Sequence, residues 1–291
     1  MTDRLMKKII FVIAVLSFVF AGVQVYLKYD DVRRHQFKVI FLDVGQGDST
    51  LIQFRNGEKM LVDCGANTLV LSELGKQLPL YDRSIEYLVV THPDLDHYGG
   101  CIDVVKRYKV RVIITNGAVK PNDPYWQTWD AVRQASGAKL GTIDKPATWT
   151  IASSTLRFVS PDPLLGVTTA TDDSNNYSIV FRLDDRTNSF LLTADTEFQL
   201  EQALLKRYCG TVSSIYLYPC PALQSNILKI GHHGSKTSTS DEFLRAVAPR
   251  VGTISTGPNR YGHPSLRVIK RLERAGVTIL RTDTEGAILI R

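Results

Sequence analysis

A stretch of ten residues at 91–100, THPDLDHYGG, constrains this chain most, because it places four potential metal ligands directly after an apolar run. The preceding letters YLVVT are typical of a buried strand, and the following YGGCIDVVKRY is typical of a helix. A loop between a strand and a helix can direct alternate side chains toward one point. We therefore expect His92 and Asp94 to face one centre, and Asp96 and His97 to face a second centre close by.

This combination of ligands suits a dinuclear metal site. In such a site each ion fixes a substrate oxygen, and a bridging water becomes hydroxide near neutral pH. The alternative is a loop whose aspartates cap the next helix while the histidines are merely exposed.

Three other motifs favour the metal site over that alternative. KIGHHGSKTS contains His232 and His233, RYGHPS contains His263, and SFLLTADTE places Asp195 after an apolar run. Ligands collected at strand ends from distant sequence positions are a common way for a sheet scaffold to build a site. Asp195 could also cap a helix over 196–208, and the two roles are compatible.

From Phe37 onward the chain has the pattern of an α/β protein. A hydrophobic content of 44% with 22% charged residues can bury the core of one large domain or two small ones. The runs FKVIFLDV, STLIQF, KMLVDCG and IEYLVVTH predict strands. Helices are predicted at 67–78, 98–108, 123–136, 196–208, 240–248 and 265–275.

The first thirty residues predict an export or anchoring segment. Arg4, Lys7 and Lys8 precede an uncharged stretch at 9–27 that is long enough to span a bilayer as a helix. Because basic residues stay on the cytoplasmic side, we expect an uncleaved membrane anchor with the body outside the cytoplasm. The alternative is a signal peptide cleaved after Ala21, which would release a secreted protein.

Seven motifs together resemble the metallo-β-lactamase-fold hydrolase domain of the ComEC competence family. They are FLDVGQGDS (41–49), LVDCG (61–65), THPDLDHYGG (91–100), NNYSIVFRL (175–183), LLTADTE (191–197), LKIGHHGSKTS (228–238) and RYGHPS (260–265). The resemblance implies an α/β fold of the αββα sandwich type. The expected organisation is a signal peptide or anchor at 1–28, a charged tether at 29–36 and the hydrolase domain at 37–291.

The resemblance also implies the metal ligands. His92 and Asp94 would hold one ion, Asp96 and His97 the other, with Asp195 as the bridge. His233 is the preferred further ligand, and His232 is the alternative. Asp94 stands where the superfamily has a histidine, and no histidine precedes the strand that leads to Asp195. An oxygen-rich site of this kind favours two Mn²⁺ ions, with Zn²⁺ or Mg²⁺ as alternatives, and no organic cofactor is implied.

Further roles follow from the same motifs. Asp43 and Asp63 are expected to orient metal-binding histidines, although Asp43 could instead fix a turn. His263 is expected to bind or protonate substrate. The residues expected to contact substrate are Asn176, Ser178, Ser235 and Lys236. For Asn176 and Ser178, an ordinary turn entering a strand is the alternative.

The function expected from these observations is metal-dependent hydrolysis of a phosphodiester, with DNA as substrate and partner. A formal charge of +6 fits an acidic partner, although a mildly basic surface is the alternative. The cations expected to hold the polymer backbone are Lys229, Lys236, Arg250, Arg260 and Arg267. No motif with aromatic platforms for nucleobases is evident. The rival functions are a hydrolase of another exported phosphoester or ester, such as a cell-wall phosphocholine, and a catalytically silent nucleic-acid-binding relative.

The four cysteines are expected to behave in two ways. An exported body permits disulfides, and Cys209 and Cys220 flank a short apparent insertion, so we predict a bridge between them. Cys64 and Cys101 are predicted to be buried thiols.

Overall fold

Short runs of β-branched and aromatic residues pair into two seven-stranded sheets after a long N-terminal helix. The computed structural model describes residues 3–166, 174–212, 215–216 and 218–291. The first sheet has the order β16-β1-β2-β3-β4-β5-β6. Its strands are β1 (Lys38–Phe41), β2 (Thr50–Gln53), β3 (Lys59–Val62), β4 (Ser84–Val90), β5 (Lys109–Thr115), β6 (Lys139–Thr142) and β16 (Ile288–Ile290).

The second sheet has the order β15-β14-β13-β10-β9-β8-β7. Its strands are β7 (Ala147–Ile151), β8 (Ser154–Ser160), β9 (Val180–Asp184), β10 (Ser189–Leu192), β13 (Ile227–Lys229), β14 (Val251–Ile254) and β15 (Thr278–Arg281). A separate hairpin pairs β11 (Thr211–Val212) with β12 (Ile215–Tyr216).

The described residues form nine α-helices, and six of them correspond to the helices predicted in the body. The nine helices are α1 (Asp3–Arg34), α2 (Leu69–Gln77), α3 (Leu95–Tyr98), α4 (Cys101–Arg107), α5 (Pro124–Ala135), α6 (Phe198–Tyr208), α7 (Asp241–Val247), α8 (Leu266–Arg274) and α9 (Thr282–Glu285). Side chains of Asp123, Ser240 and Ser265 cap α5, α7 and α8. The helix predicted over 98–108 corresponds to α4, and Tyr98 is the last residue of α3. Gly99 and Gly100, between these two helices, pass close to the backbone after β3.

Three apolar clusters arrange these elements in four layers. One cluster, which includes Phe41, Val62, Phe181 and Phe190, lies between the two sheets. A second packs α2, α4 and α5 on the outer face of the first sheet, and a third packs α6, α7 and α8 on the outer face of the second. This is the predicted αββα sandwich, and the prediction is confirmed.

The N-terminal helix stands apart from these layers. Met6–Tyr26 is long and apolar enough to cross a membrane, and none of this segment is buried against the body. The helix continues to Arg34, so most of the segment expected to be a charged tether is helical.

Parallel pairing brings distant parts of the sequence to one edge of the sandwich. Strand β3 pairs in parallel with β4 in the first sheet, and β13 pairs in parallel with both β10 and β14 in the second. The carboxyl ends of parallel strands meet at the same edge of a sheet, which is where α/β sheets place their sites. The loops that follow all five strands therefore converge.

Candidate metal centre

Four carboxylate and imidazole side chains form a compact group at this edge. One ligand atom from each of Asp96, His97, Asp195 and His233 lies within 4.8 Å of the others. Oδ2 of Asp195 is 3.3 Å from Nε2 of both His97 and His233, and Oδ2 of Asp96 is also 3.3 Å from Nε2 of His233. We call these four residues the ligand cluster.

The two remaining residues of the first motif lie beside the ligand cluster as a pair. Nε2 of His92 is 3.6 Å from Oδ2 of Asp94, and the rings of His92 and His97 are 4.1 Å apart. The other oxygen of Asp94 accepts hydrogen bonds from the ammonium of Lys120 and the hydroxyl of Ser174. Asp94 is thus held with one oxygen turned toward His92.

The three buried histidines, His92, His97 and His233, are each held in place through the Nδ1 atom. Nδ1 of His97 is 2.8 Å from Oδ2 of Asp63, and Nδ1 of His233 is 2.9 Å from the carbonyl oxygen of Ser255. Nδ1 of His92 lies between two hydroxyls, at 3.0 Å from Thr91 and 3.3 Å from Ser178. In all three rings the Nε2 atom is therefore left facing the centre.

The atoms that face the centre are buried and lack hydrogen-bond partners. Among the described residues, no partner is found for Nε2 of His92, His97 and His233, or for Oδ1 of Asp195. Their ion-pair contacts of 3.3–3.6 Å do not meet hydrogen-bond geometry, and buried polar atoms without hydrogen bonds are costly unless a further group binds there. A borderline or hard divalent cation accepts this mixture of imidazole nitrogen and carboxylate oxygen, so the residues fit a metal site.

The electrostatics of the ligand cluster point the same way. Burial alone would lower the pKa of His97 and His233, but the adjacent Asp195 carboxylate raises both pKa values well above 6.5. Burial would raise the pKa of Asp195, and the two imidazoles instead hold it well below its usual range. Protons thus balance the carboxylate charge, and a cation at this position would displace them.

A buried lysine lies behind the ligand cluster. Lys229 pairs its ammonium with Asp48, donates to the carbonyl oxygen of Ala194 at 2.8 Å and lies 3.6 Å from Oδ1 of Asp195. Its side chain is 3% exposed, so the prediction that Lys229 holds a polymer backbone is wrong. Ile227, two residues before it, packs between the sheets, whereas Leu228 and Ile230 pack under the helices, so the alternation along the strand directs Lys229 inward.

Asp48 is a site residue that the sequence analysis missed. Besides Lys229, its carboxylate contacts Nδ1 of His233 at 3.4 Å. It follows Gly47, at which a Cβ atom would lie 2.5 Å from the carbonyl oxygen of Asp96. Only glycine allows the two loops this close, and FLDVGQGDS carried that signal in its second glycine.

The two further histidines lie on the outer side of the ligand cluster. Nε2 of His232 is 3.8 Å from Oδ2 of Asp195, and its Nδ1 is 2.8 Å from Glu197. The ring of His263 is 5.3 Å from that of His232. Burial and the charges of the neighbouring histidines lower the pKa of His263 to about 4, so its ring is neutral near pH 7. A neutral ring can bind substrate by hydrogen bonds, but it lacks the second ring proton that an imidazolium would donate as a general acid.

Several predicted substrate contacts have other partners in the fold. The side-chain oxygen of Asn176 accepts from the backbone N–H groups of Glu197 and Leu200, at 3.3 Å and 3.1 Å, so it caps α6. The N-terminus of α6 therefore uses that oxygen, and the expected contact of Asn176 with substrate stays a prediction. Ser178 is buried against His92. The structure thus assigns both residues to holding other parts of the site.

Four further residues that the sequence analysis singled out lie outside the ligand cluster. Oδ1 of Asp43 lies 3.4 Å from the backbone nitrogen of Gly45, which is the turn alternative. The hydroxyl of Ser235 is 2.8 Å from that of Thr237, and Lys236 is exposed next to it. Arg250 precedes β14 and thus lies at the end of the strand opposite the site.

Both pairs of cysteines are bonded. Cys209 and Cys220 form a disulfide with Cα atoms 5.3 Å apart, although part of the segment between them lies outside the described residues. Cys64 and Cys101 also form a disulfide, with Cα atoms 5.2 Å apart. The prediction of buried thiols at Cys64 and Cys101 is therefore wrong. No local sequence signal indicates that the start of α4 packs directly on the turn after β3.

A pocket of about 720 Å³ opens above the ligand cluster. Its floor includes Asp96, Asp195 and His233, and its outer wall is the loop from Pro258 to His263. The ligand cluster thus lies at the floor of a pocket, which suits a site that admits a substrate.

Comparisons with known proteins agree with this fold. The sequence model of the metallo-beta-lactamase superfamily matches residues 42–257. The chain is 30% identical over 276 residues to ComE operon protein 3 of Bacillus subtilis (strain 168), covering 87% of this chain and 33% of that protein. It is 31% identical over 270 residues to Recombination protein 2 of Haemophilus influenzae, covering 91% of this chain and 30% of that protein. The chain thus spans about a third of the length of these relatives.

A solved structure gives independent support for the fold alone. The metallo-beta-lactamase fold protein YhfI from Bacillus subtilis superposes with a TM-score of 0.56 at 13% identity. The match covers 87% of this chain and 98% of YhfI.

Proposed function

The chain belongs to the metallo-beta-lactamase superfamily, and we propose that it is a metal-dependent phosphodiesterase that hydrolyses DNA. The observation that carries the metal dependence is the convergence of unpartnered buried atoms from three histidines and Asp195. The proposal of DNA draws on the similarity to ComE operon protein 3 and to Recombination protein 2. It also draws on the basic charge of the chain.

We assign two ions to the site, with Mn²⁺ favoured and Zn²⁺ or Mg²⁺ as alternatives. The ligand cluster would hold one ion, and His92 and Asp94 would hold the other with a share of Asp195. His232 remains an alternative or additional ligand because its Nε2 is close to Asp195. Bound divalent ions supply positive charge to the transferred phosphoryl oxygens and lower the pKa of a coordinated water.

The groups behind the metal ligands orient the histidine rings. Asp63 and the Ser255 carbonyl keep the Nε2 atoms of His97 and His233 aimed at the centre. Ser178 and Thr91 do the same for His92. Fixed ligands matter because hydrolysis is fastest when no reorganisation is needed at the moment of reaction.

Two side chains at the rim are available to the substrate. Lys120 is partly exposed beside Asp94 and can donate to a phosphate oxygen. His263 is neutral near pH 7 and lines the pocket, where its ring can hold the substrate by a hydrogen bond. We assign the positive charge that meets the phosphate to Lys120 and a positioning role to His263.

The organisation of the chain fits a site outside the cytoplasm. We propose a signal peptide or membrane anchor at 1–28, a connecting segment at 29–36 and a hydrolase domain at 37–291. The three basic residues before the apolar helix favour an anchor whose body is exported. Two disulfides in the body are chemically compatible with that location.

The test uses the full chain in detergent, stripped of metal and reloaded with Mn²⁺. It is incubated with linear single-stranded and double-stranded DNA, with glycerophosphocholine and with a lactone. We expect DNA hydrolysis that chelator abolishes. Hydrolysis of glycerophosphocholine or of the lactone in place of DNA would replace the proposed substrate. DNA binding without turnover in Mn²⁺, Zn²⁺ or Mg²⁺ would identify a silent binding module instead.

A further inference from the structure

An exposed tyrosine stands at the mouth of the pocket. Tyr261 is 64% exposed and lines the same pocket as the ligand cluster. Its ring centroid is 5.8 Å from that of His263, and the ring of His263 is 6.3 Å from that of His233. The rings thus form a path from the mouth to the floor of the pocket.

The loop that carries Tyr261 is held rigidly. The side-chain oxygen of Asn259 accepts from the backbone nitrogens of Tyr261 and His263, at 3.0 Å and 3.1 Å. Its amide nitrogen donates to the carbonyl oxygens of Gly257 and His263. Gly257 packs on Gly45, and a Cβ atom there would lie 2.5 Å from the backbone of Gly45. An exposed aromatic ring on a fixed loop costs little entropy when it binds a ligand.

The chemistry around the ring selects for an anionic ligand with a flat apolar part. Arg260 lies over the ring of Tyr261, with Cζ 6.0 Å from the centroid. Arg267 and Lys270 are exposed on the first turns of α8, directly after this loop. Leu95 and Pro258 add apolar surface to the pocket lining. The cations at the mouth favour a phosphate group there, whereas the carboxylates of Asp94, Asp96 and Asp195 line the inner part of the pocket, where the proposed ions would bind.

We infer that Tyr261 is a stacking platform for a nucleobase next to the scissile phosphate, with Arg260 holding the adjoining backbone. This inference rests on the proposed function and adds a base-binding subsite to it. A single ring, that of His263, lies between Tyr261 and His233 of the ligand cluster, so a base stacked on the tyrosine would direct its phosphate along this path. Stacking accepts any base, so the subsite favours nucleic acid without reading its sequence.

The first experiment separates base binding from backbone binding. Fluorescence anisotropy measures the Kd of the full chain in detergent, with chelator present, for a labelled twelve-residue oligothymidylate and for an abasic strand of equal length. Tyr261→Ala should weaken binding of the oligothymidylate roughly tenfold and leave the abasic strand within about twofold. Tyr261→Phe keeps the ring and should behave like the parent. Arg260→Gln should weaken both strands alike.

The matched control is Tyr81→Ala. Tyr81 is 58% exposed but precedes β4, whereas His92 follows the end of that strand. Seven residues of extended chain separate the two ends by roughly 23 Å. Removal of its ring should change neither Kd.

The outcomes distinguish this inference from the proposed function. If the parent degrades DNA in Mn²⁺ while Tyr261→Ala weakens both strands equally or neither, the stacking role is wrong and the nuclease proposal stands. If the parent does not degrade DNA, the nuclease proposal fails by itself. Thymidine 5′-monophosphate should compete with the oligonucleotide more strongly than glycerophosphocholine does, and the reverse order would overturn the inference.

Discussion

Nζ of Lys229 lies 3.6 Å from Oδ1 of Asp195, so a buried ammonium stands directly behind a carboxylate of the ligand cluster. The same ammonium is paired with Asp48. The carboxylates Asp48, Asp63, Asp96 and Asp195 crowd this region, and Lys229 is a permanent positive charge among them. The fold therefore balances part of the negative charge without relying on a bound cation.

Loss of this lysine should be costly. Lys229→Met leaves Asp48 and Asp195 without their buried partner, and we expect the free energy of unfolding to fall by about 3–5 kcal/mol in chelator. Chemical denaturation measures this loss. Mn²⁺ should restore more stability to the variant than to the parent, because it supplies positive charge to the same carboxylates. Lys236→Met, at an exposed position in the same motif, should change stability by less than about 0.5 kcal/mol.

The carboxylates of the ligand cluster should be essential for turnover. Asp195→Asn and Asp96→Asn should each remove nearly all DNA hydrolysis, because each takes away a charged ligand oxygen. Circular dichroism should show retained structure. Asp241→Asn, at the exposed first turn of α7, should leave turnover near the parent value and lower stability by no more than about 1 kcal/mol. A folded Asp195→Asn protein with parental activity would refute the mechanism.

Metal content should follow the two groups of ligands. Elemental analysis of the reloaded parent should find two divalent ions per chain. Asp94→Asn weakens only the pair formed with His92, so this variant should keep one ion. A parent that retains no ion after loading with Mn²⁺ or Zn²⁺ would contradict the assignment of a metal centre.

The two disulfides should both appear in peptide mass mapping without reductant. Cys64 and Cys101 are 37 residues apart in sequence, and a loop of that length predicts a stabilisation of about 4 kcal/mol on the chain-entropy model. The shorter loop between Cys209 and Cys220 predicts about 2–3 kcal/mol. The double substitution of Cys64 and Cys101 by serine should therefore be the more damaging of the two. Free thiols at all four positions would exclude both bridges.

Glu201 should make stability depend on pH. Burial raises the pKa of Glu201 to about 7, although its carboxylate accepts from the backbone nitrogens of Thr239 and Ser240. The pKa of the group in the unfolded chain is near 4.5, so the folded chain binds the proton more tightly between pH 4.5 and 7. Its contribution to stability is therefore present below about pH 4.5 and is lost as pH rises to 7.

The comparison with Glu201→Gln isolates this titration. Relative to the variant, the parent should gain up to about 3 kcal/mol of stability between pH 8 and pH 5 in chelator. Denaturation curves at pH 5, 6.5 and 8 measure the difference. A parallel dependence of the two proteins on pH would show that Glu201 does not titrate in this range.

Local sequence signals are sufficient to predict the class of fold and the side chains that form the ligand cluster. Hydrophobic runs of strand length and capped helices are local signals, so the strands around KVIF and YLVV and the helices after Ser240 and Ser265 were predicted closely. The spacing of His92, Asp94, Asp96 and His97 also limited the chemistry, because few other functions require those side chains so close together.

The partner of each polar side chain depends instead on how distant parts of the chain pack together. Lys229 is a charged residue in a strand, and its inward orientation depends on Asp48 from the other sheet. Asn176 and Glu197 meet because β9 and β10 pair antiparallel and bring the start of one beside the end of the other. Cys64 meets Cys101 because α4 packs on the turn after β3. Tyr261 reaches the pocket through the close contact of Gly257 with Gly45. These contacts join residues far apart in sequence, and local periodicity carries no information about sheet register or loop packing.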